Sequence, residues 1–149
     1  MTRLCVNGET HDLRCEDRDS LALVLRDALG LTATRIGCQH GSCGACNVLL
    51  EGAPVRGCLV PAALAEHQQV TTLEGLRDDP VMIRLRESFT AQHALQCGYC
   101  TAGMLIAARD LILRGRAGSA AEVRAGLAGQ LCRCTGYDGI VAAVLDAAA

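Results

Sequence analysis

Ten cysteines in a chain of 149 residues constrain this fold more than any other feature. At that density the thiols are either bridged to one another or bound to metal. Bridging fits poorly, because Met1-Thr2-Arg3-Leu4 runs straight into strand-like sequence without the leader of a secreted protein. The expectation is a reduced, cytoplasmic chain whose thiolates act as ligands. Half of the residues are apolar and the formal net charge is only −2, which suits a folded core and excludes general disorder. All 14 cations are Arg, scattered along the chain, and only Phe89, Tyr99 and Tyr137 are aromatic. That composition offers neither a basic stripe nor a stacking platform, so nucleic acid is not an expected partner. The longest apolar runs, Leu21 to Leu25 and Ile140 to Leu145, fall far short of the roughly 18 residues of a membrane span.

The first half reads as strand-rich. Leu4 and Val6, the Asn7-Gly8 turn, and Leu13 and Cys15 alternate as a hairpin should. Asp19 or Ser20 caps a helix whose Leu21, Val24, Leu25 and Ala28 share one face. A Gly- and Cys-rich loop from Gly37 to Cys46 precedes a strand at Asn47–Leu50, a turn at Glu51-Gly52, and strands at Pro54–Arg56 and Gln69–Leu73. Beyond Pro80 the period becomes helical. Met82, Leu85 and Phe89 mark one helix, and Met104, Leu105, Ala108, Leu111 and Ile112 a second. Ser119 to Glu122 is a capping box ahead of a third, and Ile140, Val141, Val144 and Leu145 line a fourth. Two halves, residues 1–76 and 77–149, are expected: a small mixed sheet wrapped on one helix, then a four-helix bundle. Halves of that size are marginal on hydrophobic burial alone, so a metal centre in each would supply the missing cross-links.

The cysteines divide to match. Cys38, Cys43, Cys46 and Cys58 are spaced C-x4-C-x2-C-x11-C, and the first three follow the plant-ferredoxin spacing for a 2Fe-2S cluster. Glycines at 37, 41 and 44 allow the backbone to curl and turn its N–H groups toward sulfur. Structural zinc prefers paired ligands on both sides, and here one side has a single late cysteine. The second set is Cys97-x2-Cys100 and Cys132-x-Cys134. A pair plus a pair also suits zinc, so spacing leaves both metals open there. Helix N-termini expected near Cys100 and Cys134 favour an anionic iron–sulfur cluster. A Rieske centre, which needs two His ligands, is not expected. His40 lies inside the first loop, either solvated or able to tune a cluster through a hydrogen bond. Cys5 and Cys15 fall outside both sets and read as small buried fillers. No nucleotide-binding, zinc-protease or nucleophile-elbow motif occurs, so no catalytic residue is assigned in this chain.

Three segments carry a family resemblance: Gly37-Cys38-Gln39-His40-Gly41-Ser42-Cys43-Gly44-Ala45-Cys46, Gln96-Cys97-Gly98-Tyr99-Cys100-Thr101-Ala102-Gly103-Met104, and Leu131-Cys132-Arg133-Cys134-Thr135-Gly136-Tyr137. In that order they closely resemble the iron–sulfur small subunit of the xanthine dehydrogenase family, the molybdenum hydroxylases. The resemblance implies an α+β chain: an N-terminal plant-ferredoxin-like β-grasp domain, then a C-terminal four-helix bundle, each holding one 2Fe-2S cluster. It implies ligation by Cys38, Cys43, Cys46 and Cys58 in the first domain, and by Cys97, Cys100, Cys132 and Cys134 in the second. It also implies two partners, a large molybdopterin-binding subunit and a medium FAD-binding subunit, in a heterotrimer able to dimerise. Electrons would pass from molybdenum to the helical-domain cluster, then to the ferredoxin-domain cluster, then to FAD. Gln96 and Cys134 would lie against the pterin. The chain departs from the family where Ala102 replaces a frequent Pro and Asn47 a frequent Thr. The alternatives are a free two-cluster ferredoxin that shuttles electrons by diffusion and a zinc-stapled binding module.

Overall fold

The computed structural model describes residues 1–149 as a five-stranded mixed sheet with one helix, followed by four further α-helices. Strands β1 (Thr2–Val6) and β2 (Glu9–Leu13) form the expected hairpin, turned at Asn7 and Gly8, both with positive φ. Strands β3 (Asn47–Leu50), β4 (Ala53–Arg56) and β5 (Gln69–Thr71) complete a sheet in the order β2-β1-β5-β3-β4. Only the β1–β5 pair is parallel. Pro54 is tolerated because β4 is an edge strand.

Helix α1 (Leu21–Asp27) begins at Ser20, whose hydroxyl accepts the Leu23 N–H at 3.3 Å. Its Leu21, Val24 and Leu25 pack on Leu4, Val6, Val48 and Val70 of the sheet. Alternation on β1 sends Thr2, Leu4 and Val6 inward, and therefore turns Cys5 to the opposite face. Cys5 is half-buried, and its thiol donates to Gln69 Oε1 at 3.0 Å. Cys15 lies past the end of β2 rather than on it, donating to Thr2 Oγ1 at 3.1 Å. Neither is a purely apolar filler. The expected strand from Gln69 to Leu73 stops at Thr71, because Leu73 to Leu76 winds into a 3₁₀ turn.

Helices α2 (Pro80–Ala91), α3 (Thr101–Leu113), α4 (Ala120–Gly126) and α5 (Asp138–Ala148) surround a second core. Met82, Leu85, Phe89, Met104, Ile106, Leu127 and Ile140 are buried in it almost completely. Asp79 caps α2 ahead of Pro80 and Ser119 caps α4, each accepting the N–H three residues on. Asp79 also accepts from Arg109 of α3 at 2.7 Å, and both side chains are only 17% exposed. The two cores share a wall. Val48 faces the sheet core, whereas Leu49, next along β3, belongs with the helices. No helix is long and apolar enough to cross a membrane.

Candidate metal centres

Cys38, Cys43 and Cys46 of the first set lie in the loop between α1 and β3, and Cys58 joins them from the turn after β4. Gln39, Gly41 and Gly44 all adopt positive φ, which curls the backbone around the thiols. A side chain at Gly41 would press into Leu59, 2.5 Å from its Cδ1. The backbone N–H groups of His40, Cys43 and Ser42 point at the Cys38 sulfur, and the His40 N–H does most to pull that thiol down to about 6. Burial pushes Cys46 the other way, to about 11, and its sulfur receives the Cys58 N–H at 3.5 Å. Side-chain contacts join Cys38 to Cys43 and Cys46 to Cys58, and the charge of Cys43 reaches Cys46. The four thiols form one group. His40 is exposed, and its ring Nδ1 lies 2.6 Å from the Cys38 carbonyl rather than against a sulfur.

The second set is assembled from two loops. Cys97 and Cys100 precede α3, with Cys100 as its N-cap residue. Cys132 and Cys134 precede α5, but Tyr137 in the left-handed region starts that helix, so Cys134 stands three residues ahead of its N-cap. Cys134 Sγ lies 3.5 Å from Cys97 Sγ, and Cys132 contacts Cys100. The Tyr99 N–H and the Cys134 contact lower Cys97, while burial raises Cys100 to about 12. At Cys132 burial acts upward, but the Thr135 hydroxyl and the N–H groups of Cys134 and Thr135 outweigh it. Each set thus holds a more buried thiol pushed up by desolvation and an outer thiol lowered by backbone donors. Binding of a metal deprotonates the buried member.

Four linked thiols with N–H donors turned to sulfur could hold a two-iron cluster. Sequence reasoning brought these eight residues and Gln96 into view. The Gln96 amide donates to the Cys134 carbonyl at 3.0 Å, so the two expected pterin neighbours sit together on an exposed face.

Three features escaped the sequence. The Tyr137 hydroxyl accepts the Cys132 N–H at 2.8 Å and donates to the Gln130 carbonyl at 2.7 Å, bracing the second ligand loop. Tyr99 spans both sites: its N–H reaches Cys97 Sγ at 3.5 Å and its hydroxyl donates to the Ile36 carbonyl at 2.7 Å. A polar junction of Asn47, Arg56 and Gln130 joins the halves, with Asn47 and Gln130 almost fully buried. The signal for these was faint, since polar residues of widely separated sequence position show no spacing pattern.

Known proteins match this arrangement over nearly the whole chain. A family model described as a 2Fe-2S iron–sulfur cluster binding domain matches residues 4–73, and one described as a [2Fe-2S] binding domain matches residues 72–145. The nicotine 6-hydroxylase small subunit of Paenarthrobacter nicotinovorans is 46% identical, over 95% of this chain and 86% of its own. The xanthine dehydrogenase iron–sulfur-binding subunit of Escherichia coli O157:H7 is 38% identical, over 95% of this chain and 89% of its own. A chain of quinoline 2-oxidoreductase from Pseudomonas putida superposes with a TM-score of 0.91 at 46% identity, covering 99% of this chain and 91% of that one.

Proposed function

Because the chain belongs to the iron–sulfur small subunits of the xanthine dehydrogenase (molybdenum hydroxylase) family, we propose that it relays electrons from a molybdopterin-holding large subunit to an FAD-holding medium subunit. Its general role is plain: it is an electron-transfer subunit of a multi-subunit oxidoreductase and carries 2Fe-2S clusters. The finer assignments are our reading. Residues 1–76 form the ferredoxin-like domain, with Cys38, Cys43, Cys46 and Cys58 as ligands. Residues 77–149 form the helical domain, read as a four-helix bundle, with Cys97, Cys100, Cys132 and Cys134 as ligands. When bound, each cluster supplies a one-electron redox couple.

The observation that carries this reading is the convergence of eight thiols into two groups of four, each wrapped by backbone donors. The N–H groups of His40, Ser42, Cys43, Tyr99 and Thr135 hold negative charge on sulfur. Gln96 fixes the Cys134 carbonyl on the exposed face, where a pterin of the large subunit would dock. Leu95 and Leu131, adjacent in sequence to Gln96 and Cys132, are exposed and offer apolar area to bury against the partner. The relatives described above act, by name, on nicotine, xanthine and quinoline. A nitrogen heterocycle oxidised by the large subunit in the cytoplasm is therefore the first substrate class to screen.

The test is an elemental inventory of the complex isolated under mild, oxygen-free conditions. Two 2Fe-2S centres require about four irons per chain, two for each set of four thiolates. Four irons with one molybdenum per chain is the expected result. Zinc in place of iron would overturn the reading, and iron without molybdenum would remove the proposed large partner.

A further inference from the structure

Arg56 ends β4, two residues before Cys58, and its guanidinium reaches both halves of the molecule. Toward its own half, Nε donates to the Gly41 carbonyl inside the first ligand loop at 3.2 Å, and Nη1 donates to Asn47 Oδ1. Toward the helical half, Nη2 donates to the Gly129 carbonyl at 2.7 Å. Asn47 Nδ2 crosses the same boundary to the Gly103 carbonyl in α3 at 3.0 Å. Gln130, oriented to satisfy its neighbours, accepts from Arg56 Nη1 at 2.9 Å and donates to the Gly44 carbonyl at 3.2 Å. The backbones meet beside this junction, where the Leu131 N–H donates to the Cys43 carbonyl at 2.8 Å. Leu131 adjoins Cys132. One hydrogen bond thus links a residue of the first cysteine set to the neighbour of a residue of the second.

We infer that Arg56, with Asn47 and Gln130, is the positioning group that fixes the spacing of the two cysteine sets by holding the Cys43–Leu131 backbone contact closed. The junction has the features such a clamp needs. A planar guanidinium bonds four acceptors at once, which a lysine ammonium cannot do in the same geometry. Asn47 and Gln130 are 2% and 6% exposed, so an unmade bond there cannot be replaced cheaply by water. The space is also closed to alternatives. A side chain at Gly44 would strike the Gln130 amide at 2.0 Å, and one at Gly103 the Gly44 carbonyl at 2.1 Å.

This inference rests on the two-cluster reading, and the experiment separates the two. The purified heteromeric complex is compared with Arg56→Met, Arg56→Lys and Gln130→Met variants. Gln130→Met leaves the Arg56 bond to Gly41 in place and takes from the first ligand loop only the bond to the Gly44 carbonyl. Three quantities are read: iron content, hydrogen exchange of the segment at residues 129–131, and the magnetic interaction between the two paramagnetic signals after chemical reduction. Both Met variants should keep their irons yet exchange about tenfold faster in that segment, the scale of one lost charge-assisted hydrogen bond. The magnetic interaction should weaken in both, and Arg56→Lys should fall between them and wild type. Unchanged exchange and interaction in either iron-replete Met variant would overturn the clamp. So would loss of iron from both, which would make these residues part of the ligand loops. A wild-type complex without its four irons would instead defeat the two-cluster reading, while the exchange data would still decide whether the junction holds the backbones together.

Discussion

Tyr137 carries more of the second site than its place at the end of a cysteine motif suggests. Its hydroxyl is bonded twice, accepting the Cys132 N–H and donating to the Gln130 carbonyl. Tyr137→Phe should therefore lower stability by about 1–3 kcal/mol, the cost of stranding a partly buried donor and acceptor, measured by denaturant unfolding of the complex. Cys134→Ser acts differently. It should remove or perturb only the second cluster, dropping iron from about four per chain toward two while the signal of the first persists. Retention of both signals with full turnover would remove Cys134 from the ligand set. The grouping of the eight cysteines into two sets was legible in sequence because a cluster's dimensions would restrict the spacing of neighbouring ligands. Tyr137 and the Asn47–Arg56–Gln130 junction were not, because their partners lie across turns or across the whole chain and impose no period. Cys5 misled for a simpler reason: pleat alternation put it opposite the residues that fill the core.

Elements were legible where a cap and a period agreed, as at Ser20, Pro80 and Ser119, and blurred where the backbone tightened. The 3₁₀ turn at Leu73–Leu76 shortened an apparent strand because Leu73 and Leu76 turn toward the helices instead of continuing along the sheet. The start of α2 offers a test at this scale. The Arg109 guanidinium, with the Met82 and Val81 N–H groups, holds the Asp79 carboxyl below its ordinary value of 3.8. Stability from this group is therefore fully present above that value and is lost as pH falls through the lower folded value. Asp79→Asn keeps a capping oxygen but loses the ion pair. Its deficit, about 1–3 kcal/mol at neutral pH, should narrow as the pH is lowered through 3.8. Unfolding curves of both proteins at several pH values would show it. Helix α3 supplies a second test, because Gly103 abuts the backbone of the first ligand loop. Gly103→Ala should destabilise by about 1–3 kcal/mol through overpacking, despite the better helix propensity of Ala. It should also speed exchange across residues 129–131, where the two loops touch.

Across the whole molecule, the change of period at Pro80 pointed to two halves, and no sequence pattern pointed to the side chains that join sheet and helices. Beyond the polar junction, Tyr99 ties the second ligand loop to the Ile36 carbonyl and stands 5.9 Å from the Arg35 guanidinium. Tyr99→Phe should keep both clusters but loosen the segment before Cys38, seen as faster exchange around Ile36 with iron content unchanged. The shared wall at β3 has an evolutionary consequence. Successive residues of one strand answer to different cores, so a mutation at Leu49 is judged by the helices and one at Val48 by the sheet. A recombination event that exchanged the helical half for a relative's would inherit a mismatched Leu49 unless the cut also carried β3. Shuffling of these halves among lineages should therefore be rare, and chimaeras joined after residue 76 should recover best when the strand at 47–50 travels with the helices.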